Sequence, residues 1–359
     1  MNRSSTERFF NFSILPMRPS FYDHLHPPTI PAAQARLRYT LGAGGLAVFL
    51  TLVVGFTGIL VTFYYIPTPE QAAKSVQELT FLVPFGWLMR NLHYWSAQLL
   101  ILVAALHLLR VVFTGAYLPP HRLNYLLGLS LLVICLFMDF SGYVLRWDEG
   151  VHWALVAGTN LVRSIPVVGE GLYSALVAGD QIGAGTLVRF YAWHLFGLTL
   201  ILIIITVWHI FRVRRDGGIA VPPPELRSDP ARIPRKELAR REGLAMLWAA
   251  LVLIGLAILV PAPLSPGIKE GAAKANESLA PWFFLWVQQL LRLGDPFIYG
   301  VLVPLGALLI LALVPYITPQ RLSPTELGRW FPQGGRNVQI LVAVLGGIIL
   351  LLTLLAVLH

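Results

Sequence analysis

The sequence predicts an all-α, polytopic membrane protein with seven transmembrane helices. Of its 359 residues, 56% are hydrophobic and only 13% are charged, and the mean hydropathy is +0.67. A soluble domain carries about 25% charged residues, so this composition excludes an ordinary soluble protein. A helix needs about 20 apolar residues to cross the hydrocarbon core, and in lipid its backbone groups must pair internally. The predicted spans are 41–65, 91–113, 124–145, 189–212, 244–262, 298–317 and 338–357.

The basic residues predict how these spans are oriented. An odd number of spans places the two termini on opposite sides, and Lys and Arg accumulate on the cytoplasmic side. The face that carries the N-terminal segment holds 19 of the 27 Lys and Arg residues. We therefore expect a multi-pass protein of a bacterial-type inner (plasma) membrane with a cytoplasmic N-terminus. The net charge of +9 then reflects the membrane topology. We expect contact with membrane lipid and no nucleic-acid partner.

The segment between the fourth and fifth spans is rich in proline and charge, and it divides the chain. We expect an N-terminal cytoplasmic-side segment over 1–38 and a four-helix domain over 39–218. A linker over 219–243 then leads to a three-helix domain over 244–359. No internal repeat is apparent.

Four histidines recur at matched intervals inside the second and fourth spans. His93 and His107 are fourteen residues apart, and His194 and His209 are fifteen apart, which corresponds to about 21 and 22 Å along a helix. Fourteen steps fall about 40° short of four turns and fifteen overshoot by about 60°, so each pair lies near one helix face. A single cysteine, Cys135, excludes disulfides, cysteine-held iron–sulfur clusters and covalent Cys-x-x-Cys-His haem. A redox centre must therefore use histidine.

The second and fourth spans run in the same direction, so His93 can face His194 and His107 can face His209. Two axial imidazoles on one iron make a haem an electron carrier. An intramembrane histidine is costly and indicates function. Each histidine could instead only hydrogen-bond a neighbouring helix, but matched pairs disfavour that alternative. The sequence therefore predicts a four-helix dihaem bundle with two non-covalent b haems and these histidines as axial iron ligands.

Glycines repeat the same interval in the first and third spans. Gly44 and Gly58 are fourteen residues apart, as are Gly128 and Gly142. A glycine would let a flat macrocycle approach the backbone, so we expect all four to contribute to cofactor binding. Small residues also serve ordinary helix packing, so the glycines alone would decide little.

Four arginines flank the histidine pairs, and they are Arg90, Arg110, Arg189 and Arg212. The negatively charged propionates of the two haems would need cations at the two ends of the bundle, and the arginine guanidinium can form two hydrogen bonds to one carboxylate. An interfacial anchor is the equally open alternative for each of them.

At these residues the chain resembles cytochrome b of the quinol-oxidising cytochrome bc and b6f complexes. The matching stretches are TFYYIPTPEQAAKSV, FGWLMRNLHYWSAQ, HLLRVVFTGAY, SGYVLRWDEG, SIPVVGEGL and LVRFYAWHLFGL, all within 39–218. The fifteen-residue interval resembles the b6f branch. The last three spans resemble subunit IV of that branch, fused here through the linker.

The resemblance implies that quinol is oxidised near the positive side of the membrane. One electron would pass to a Rieske iron–sulfur protein and the other would cross through both haems to a quinone. A c-type cytochrome or equivalent acceptor and a homodimer of the whole complex are implied as well. The quinol pocket would include Tyr143, Pro166 and Trp282.

The sequence departs from the family pattern in three places. Gly42 stands where the b6f branch has a haem-anchoring cysteine, so we expect no covalent haem. The family's Pro-Glu-Trp-Tyr motif is Ala280-Pro281-Trp282-Phe283 here and lacks the glutamate credited with taking a quinol proton. Asp139 is a candidate replacement, because a general base must titrate within hydrogen-bond reach; the alternative pairs it with Arg146. Arg146 replaces a family proline, which leaves the quinone type open, with menaquinol weakly favoured.

At the other membrane face Arg212, Arg214 and Asp216 could receive a quinone, or simply anchor the helix. Five further histidines lack partners at ligand spacing, and we expect them to be solvated: His24, His26, His121, His152 and His359.

Three alternative functions stay open. One is a dihaem membrane anchor for a dehydrogenase, which would exchange electrons with quinone without bifurcation. A second is a bc-type subunit whose quinol site is repurposed or runs in reverse. A third is a transporter whose histidines relay protons.

Overall fold

Seven long apolar helices dominate the part of the chain that the computed structural model describes. This part comprises residues 28–32, 36, 40–216, 218, 232–268, 279–317, 326 and 329–358. The seven helices are long and apolar enough to cross a membrane, which confirms the predicted all-α membrane fold. They are Ala43–Thr62, Gly86–Phe113, Arg122–Val144, Ala184–Arg215, Arg235–Leu259, Phe297–Ile317 and Gln333–Leu358.

The elements are numbered in chain order. The strands are β1 (Thr29–Pro31) and β2 (Arg232–Pro234). The helices are α1 (Ala43–Thr62), α2 (Ala72–Phe81), α3 (Gly86–Phe113), α4 (Arg122–Val144), α5 (Glu149–Arg163), α6 (Gly169–Val177), α7 (Ala184–Ala192), α8 (Leu198–Arg215), α9 (Arg235–Leu259), α10 (Leu285–Leu291), α11 (Val303–Ile317) and α12 (Arg336–Leu358). A π-helical turn at Trp193–Gly197 joins α7 to α8, and another at Phe297–Leu302 leads into α11. Trp282–Phe284 and Gln333–Gly335 are 3-10 turns.

Helix α3 begins at Gly86, five residues before the predicted span. The predicted span started directly after the charged Arg90 and therefore left out this first turn. Asn91 is buried, however, and its side chain donates to the Ala257 carbonyl at 2.8 Å and accepts from the Ala262 backbone at 3.0 Å. These bonds satisfy its polar atoms and tie α3 to the end of α9.

Helices α1, α3, α4 and α8 form a four-helix bundle, with α3 packed on both α1 and α4 and α8 packed on α4. Its core contains Leu50, Leu100, Ile101, Cys135 and Leu202. Many large apolar side chains on the outside of these helices are exposed, as a lipid-facing surface requires.

The last three spans pack on the outside of this bundle. Helix α9 contacts α3 and α1, and α12 contacts α10 and α3. Buried Val112, Tyr117, Val314 and Val338 join the two parts of the chain near one end. The Tyr125 hydroxyl on α4 donates to the Leu311 carbonyl on α11 at 2.8 Å.

Strands β1 and β2 form a two-stranded antiparallel sheet, with Ile30 paired to Ile233. The sequence did not predict these strands. They join the segment before the first span to the start of α9, because Arg235 N also donates to the Pro28 carbonyl at 3.0 Å. The segment over 1–38 and the linker over 219–243 lie mostly outside the described residues.

Candidate haem and quinol site

The imidazoles of His93 on α3 and His194 in the π-helical turn face each other. Their ring centroids are 6.4 Å apart and their planes are inclined by 74°. An imidazole–metal bond is about 2.0 Å long, so two rings on opposite sides of one metal ion have centroids about 6 Å apart. The spacing of this pair therefore fits two axial ligands of one iron.

The flanking helix α1 fixes the orientation of His93. The Nδ1 atom of its ring is 3.1 Å from the Val54 carbonyl and 3.1 Å from the Thr57 hydroxyl. Thr57 donates its own hydrogen to the Val53 carbonyl at 2.7 Å, so towards His93 it can only accept. Two acceptors at Nδ1 place the ring proton there, which leaves the Nε2 lone pair for a metal.

Helix α4 holds His194 in the same way. Its Nδ1 atom is 3.1 Å from the Met138 carbonyl and 2.9 Å from the Ser141 hydroxyl, which donates to Met138 at 2.9 Å. Contacts of this kind orient metal-binding histidines and increase their basicity. The sequence analysis missed both hydroxyl residues, although Thr57 and Ser141 directly precede the repeated Gly58 and Gly142.

Each of the four repeated glycines faces one of the four histidines. A Cβ added at the glycine would lie close to the Cε1 atom of that imidazole. The distances are 3.0 Å for Gly58 and His93, 3.5 Å for Gly44 and His107, 2.8 Å for Gly142 and His194, and 3.2 Å for Gly128 and His209. The glycines thus leave room for the imidazole rings, and their part in cofactor binding stays a prediction.

The π-helical turn at Trp193–Gly197 explains why His194 and His209 are fifteen residues apart. Leu198 N donates to the Trp193 carbonyl, five residues back, so the turn contains one extra residue. One residue is about 100° of rotation, so the expected overshoot of about 60° becomes a deficit of about 40°, as on α3. Both histidine pairs therefore align equally well on their helices. The Thr199 hydroxyl also donates to the His194 carbonyl at 2.6 Å.

The His107–His209 pair has a different environment at its outer ring nitrogens. Among the described residues, His107 Nδ1 has no hydrogen bond, and His209 lies near the Asn124 backbone without a hydrogen bond of normal geometry at Nδ1. The residues before the facing glycines are Ala43 and Leu127, which have no hydroxyl to offer. The two levels of the bundle are therefore built from the same glycine pattern but differ in polar support.

The four flanking arginines make different contacts. Arg90 donates to the Ala262 carbonyl at 3.2 Å and to that of Pro263, and Arg189 donates to the Ser174 and Ala175 carbonyls. Arg212 pairs with Asp216 at 2.8 Å, and Arg110 is buried beside His107. A role in binding propionates stays a prediction for all four, and of these arginines Arg90 lines the cavity next to the His93–His194 pair.

That cavity has a volume of about 280 Å³ and mostly apolar walls. It extends from His93 and His194 to the predicted quinol-site residues Asp139, Tyr143 and Trp282. Tyr65 also lines it; burial raises the pKa of its hydroxyl, which stays protonated and donates to the Leu145 carbonyl at 2.8 Å.

The structure does not bring Pro166 to this cavity. Pro166 is exposed in the turn between α5 and α6 and is absent from the cavity lining. A direct role for Pro166 in quinol chemistry has no geometric support.

Asp139 belongs to a hydrogen-bonded chain of three side chains within the cavity. Gln98 Nε2 donates to Asp139 Oδ1 at 2.7 Å, and Trp282 Nε1 donates to Gln98 Oε1 at 2.7 Å. The alternative pairing of Asp139 with Arg146 is wrong, because Arg146 pairs with Asp148 at 2.7 Å. The sequence analysis missed Gln98, although an amide five residues after His93 in an apolar span was a signal.

Asp148 joins the loop after α4 to the segment after α9. It is 1% exposed, and its carboxylate accepts from Arg146 and from Ser265 N at 3.2 Å. Glu149 N donates to the Pro266 carbonyl at 3.0 Å, and Asp148 forms a bridge with Gly267. The loop after α4 is thereby attached to the segment after α9.

Two of the histidines expected to be solvated are half-buried. His121 lies at the start of α4, where burial lowers its pKa and the nearby Asp216 carboxylate opposes that shift. His152 lies on α5 with a buried Nδ1 atom. The expectation was wrong for these two because the loops pack back on the bundle. His24, His26 and His359 lie outside the described residues.

Comparison with known families agrees with this geometry. The model of the family described as Cytochrome b/b6/petB matches residues 30–217, which is more than half of the chain. The chain belongs to the cytochrome b family. Membership implies a non-covalent b haem and a redox role within a multi-subunit, bc-type oxidoreductase complex of the membrane.

Curated relatives are cytochromes b6. That of Heliomicrobium gestii is 40% identical over 192 residues, which cover 54% of this chain and 88% of the relative. That of Synechococcus sp. (strain CC9605) is 37% identical over 174 residues, or 48% of this chain and 80% of the relative. These matches confirm the family resemblance found in the sequence.

A solved structure described as a hyperthermophilic respiratory Complex III has the same fold. The two chains superpose with a TM-score of 0.77 over 89% of this chain and 84% of the other, at 22% identity. The shared fold therefore extends beyond the residues that the family model matches.

Proposed function

We propose that the chain is the dihaem cytochrome b subunit of a quinol oxidoreductase. Quinol would be oxidised at the positive side, a Rieske iron–sulfur partner would take one electron, and the other would cross the membrane by way of two non-covalent b haems. The observation that carries this proposal is the 6.4 Å spacing of His93 and His194, with Nδ1 of each ring held by acceptors.

Support for a second haem comes from the glycine pattern. Gly44 and Gly128 face His107 and His209 as Gly58 and Gly142 face the other pair. When bound, each haem would supply a one-electron carrier, held by the two imidazoles of its pair. The chain's own part is to orient the four imidazoles and to surround them with apolar side chains that exclude water.

The cavity includes the space that a haem between His93 and His194 would fill. Its further part, at Asp139, Tyr143 and Trp282, supports quinol oxidation at that end of the bundle. Its walls are mainly apolar, as a quinol ring requires, and Asp139 lines it together with its hydrogen-bond partner Gln98. We propose that Asp139 accepts a quinol proton in place of the absent glutamate. Tyr143 and Trp282 would form the walls against which the ring is positioned.

The charges around the pocket support Asp139 in this role. Arg146 is engaged by Asp148, so it does not pair with Asp139. The Tyr143 hydroxyl donates to the Gly150 carbonyl at 2.6 Å, and the Arg146 guanidinium lies 5.3 Å from the centre of the Tyr143 ring. These contacts hold the loop after α4 in place while the Asp139 carboxylate faces the cavity.

At the opposite end, the paired Arg212 and Asp216 would receive a quinone and its protons. This end would face the cytoplasm, together with the N-terminus, in a bacterial-type inner membrane. A c-type cytochrome or equivalent would accept the Rieske electron, and the whole complex would be a homodimer. The excess of basic residues on this face supports the orientation.

Haem counting tests the dihaem part of the proposal. A pyridine haemochrome assay on the purified complex should return two non-covalent protohaems per chain. His93→Leu should remove one of them, whereas His152→Leu, which alters a histidine that is not at ligand spacing, should leave both. Fewer than two protohaems in the wild type would contradict the proposal.

Turnover tests the reaction. The complex in membranes should oxidise quinol, and an inhibitor of the Rieske-side site should block both turnover and haem reduction through that site. The missing glutamate favours one competing function, a bc-type subunit that exchanges electrons with quinone without bifurcation. Full reduction of the b haems by quinol in a complex depleted of the Rieske protein would support that competitor.

A further inference from the structure

We propose that Gln98 is a positioning residue for proton transfer in the quinol pocket, where it links Trp282 to Asp139. The inference rests on the proposed quinol oxidation and deepens it. Gln98 lies on α3, Asp139 on α4, and Trp282 in the turn before α10, so three separate segments meet at one amide. All three side chains line the same cavity.

The orientation of the Gln98 amide follows from the chemistry of its neighbours. An indole N–H can only donate, so the atom of Gln98 that lies 2.7 Å from Trp282 Nε1 must be the carbonyl oxygen. The amide nitrogen then faces Asp139 Oδ1 at 2.7 Å and donates to it. The opposite orientation would place two donors against each other at Trp282 and two acceptors at Asp139.

This arrangement makes the two carboxylate oxygens of Asp139 unequal. Oδ1 accepts the Gln98 hydrogen bond, whereas Oδ2 has no hydrogen bond within the described part of the chain. A quinol hydroxyl entering the cavity would therefore transfer its proton to Oδ2: the quinol O–H bond breaks, and an O–H bond forms at Oδ2. Gln98 fixes which oxygen reacts and where it points.

Trp282 has a second consequence for the pocket. It is on the segment that carries the altered Ala280-Pro281-Trp282-Phe283 motif, so the segment without the glutamate still reaches the proton acceptor through its indole.

The test measures quinol oxidation by the purified complex with matched substitutions at position 98. Gln98→Glu keeps the shape and an acceptor for Trp282, but it places a second carboxyl group against Asp139, so the two share one proton and Asp139 is no longer a free acceptor. Gln98→Met keeps the length without polar atoms. Because positioned proton transfer contributes about 10²–10⁴-fold, we expect each to lower kcat about tenfold with KM changed less than twofold. Leu102→Met, on the lipid-exposed side of the same helix, is the control and should retain wild-type turnover.

A double substitution separates positioning from a general packing role. If Gln98 acts through Asp139, Gln98→Met should cause no further loss in an Asp139→Asn background. Wild-type kcat in Gln98→Glu, or losses that multiply in the double variant, would overturn the inference. If the wild-type complex itself oxidised no quinol, the proposed function would fail first, and the two failures are thereby distinguishable.

Discussion

Gly142 leaves the space that the imidazole of His194 fills. A Cβ at position 142 would lie 2.8 Å from Cε1 and 3.4 Å from Nδ1 of that ring, and the first distance is shorter than real contacts allow. The ring could not simply retreat, because Met138 and Ser141 hold its Nδ1 atom. A single methyl group at this glycine must therefore disturb the His194 imidazole, the proposed iron ligand.

We expect Gly142→Ala to displace His194 and to weaken or abolish the haem at that end of the bundle. The visible spectrum should lose one b-haem component in a redox titration, while the component of the His107–His209 pair persists. Gly44→Ala should be milder, because its Cβ would be 3.5 Å from His107.

Gly55→Ala on α1 is the matched control, since a Cβ there meets nothing within 4 Å. It should retain both haem components. Equal haem loss in Gly55→Ala and Gly142→Ala would show that glycine in these helices serves general packing and not the ligand rings.

The hydroxyls of Thr57 and Ser141 should tune the redox potential of one haem only. Removing them in a Thr57→Val, Ser141→Ala double variant deletes acceptors at Nδ1, so the imidazoles donate less electron density to the iron. We expect the midpoint potential of the His93–His194 haem to rise by about 20 mV. This is about a third of the 59 mV that corresponds to a tenfold change in the equilibrium constant of a one-electron couple. Potentiometric titration would measure it, and an equal shift of both haems would contradict the assignment.

The histidine pairing could be predicted from the sequence because its interval repeats on two helices that run in the same direction. The glycine interval could be recognised too, but not its partner, because sequence spacing does not show which group fills the space beside a glycine. The role of the π-helical turn at Trp193–Gly197 was also hidden. One inserted residue changes the rotation along the helix by about 100°, and no particular residue type in the sequence indicates where such an insertion lies.

The partner of Asp139 could not be predicted for a different reason. Arg146 is close to Asp139 in sequence and of opposite charge, but it points to Asp148, which is attached to a loop more than a hundred residues later. Gln98 reaches Asp139 across a helix interface, so only the packing of α3 on α4 reveals the pair.

His121 should make stability depend on pH. Burial lowers its pKa in the folded protein, with Asp216 opposing the shift, so the unfolded chain binds more protons than the folded one near and below the ordinary histidine pKa of about 6.5. Stability should therefore fall as pH drops through that region. We expect His121→Gln to flatten this dependence of the thermal midpoint, followed by tryptophan fluorescence, and to leave the slope above pH 8 unchanged. An unaltered slope between pH 5 and 7 would contradict the prediction.

Asp139→Asn should slow quinol oxidation by about 100-fold, because an amide cannot take the proton and positioned bases contribute about 10²–10⁴-fold. The substitution keeps the size of the side chain, so the haem content should remain at the wild-type level. Steady-state turnover with a defined quinol measures the loss, and the extent of haem reduction by dithionite checks that the bundle is intact. Asp180→Asn, at an exposed loop position, is the control and should retain wild-type turnover.

If Asp139→Asn kept full quinol oxidation, another group would have to accept the proton. The cavity would then require a different acceptor among its remaining polar side chains, of which Tyr94 also lies within electrostatic reach of Asp139.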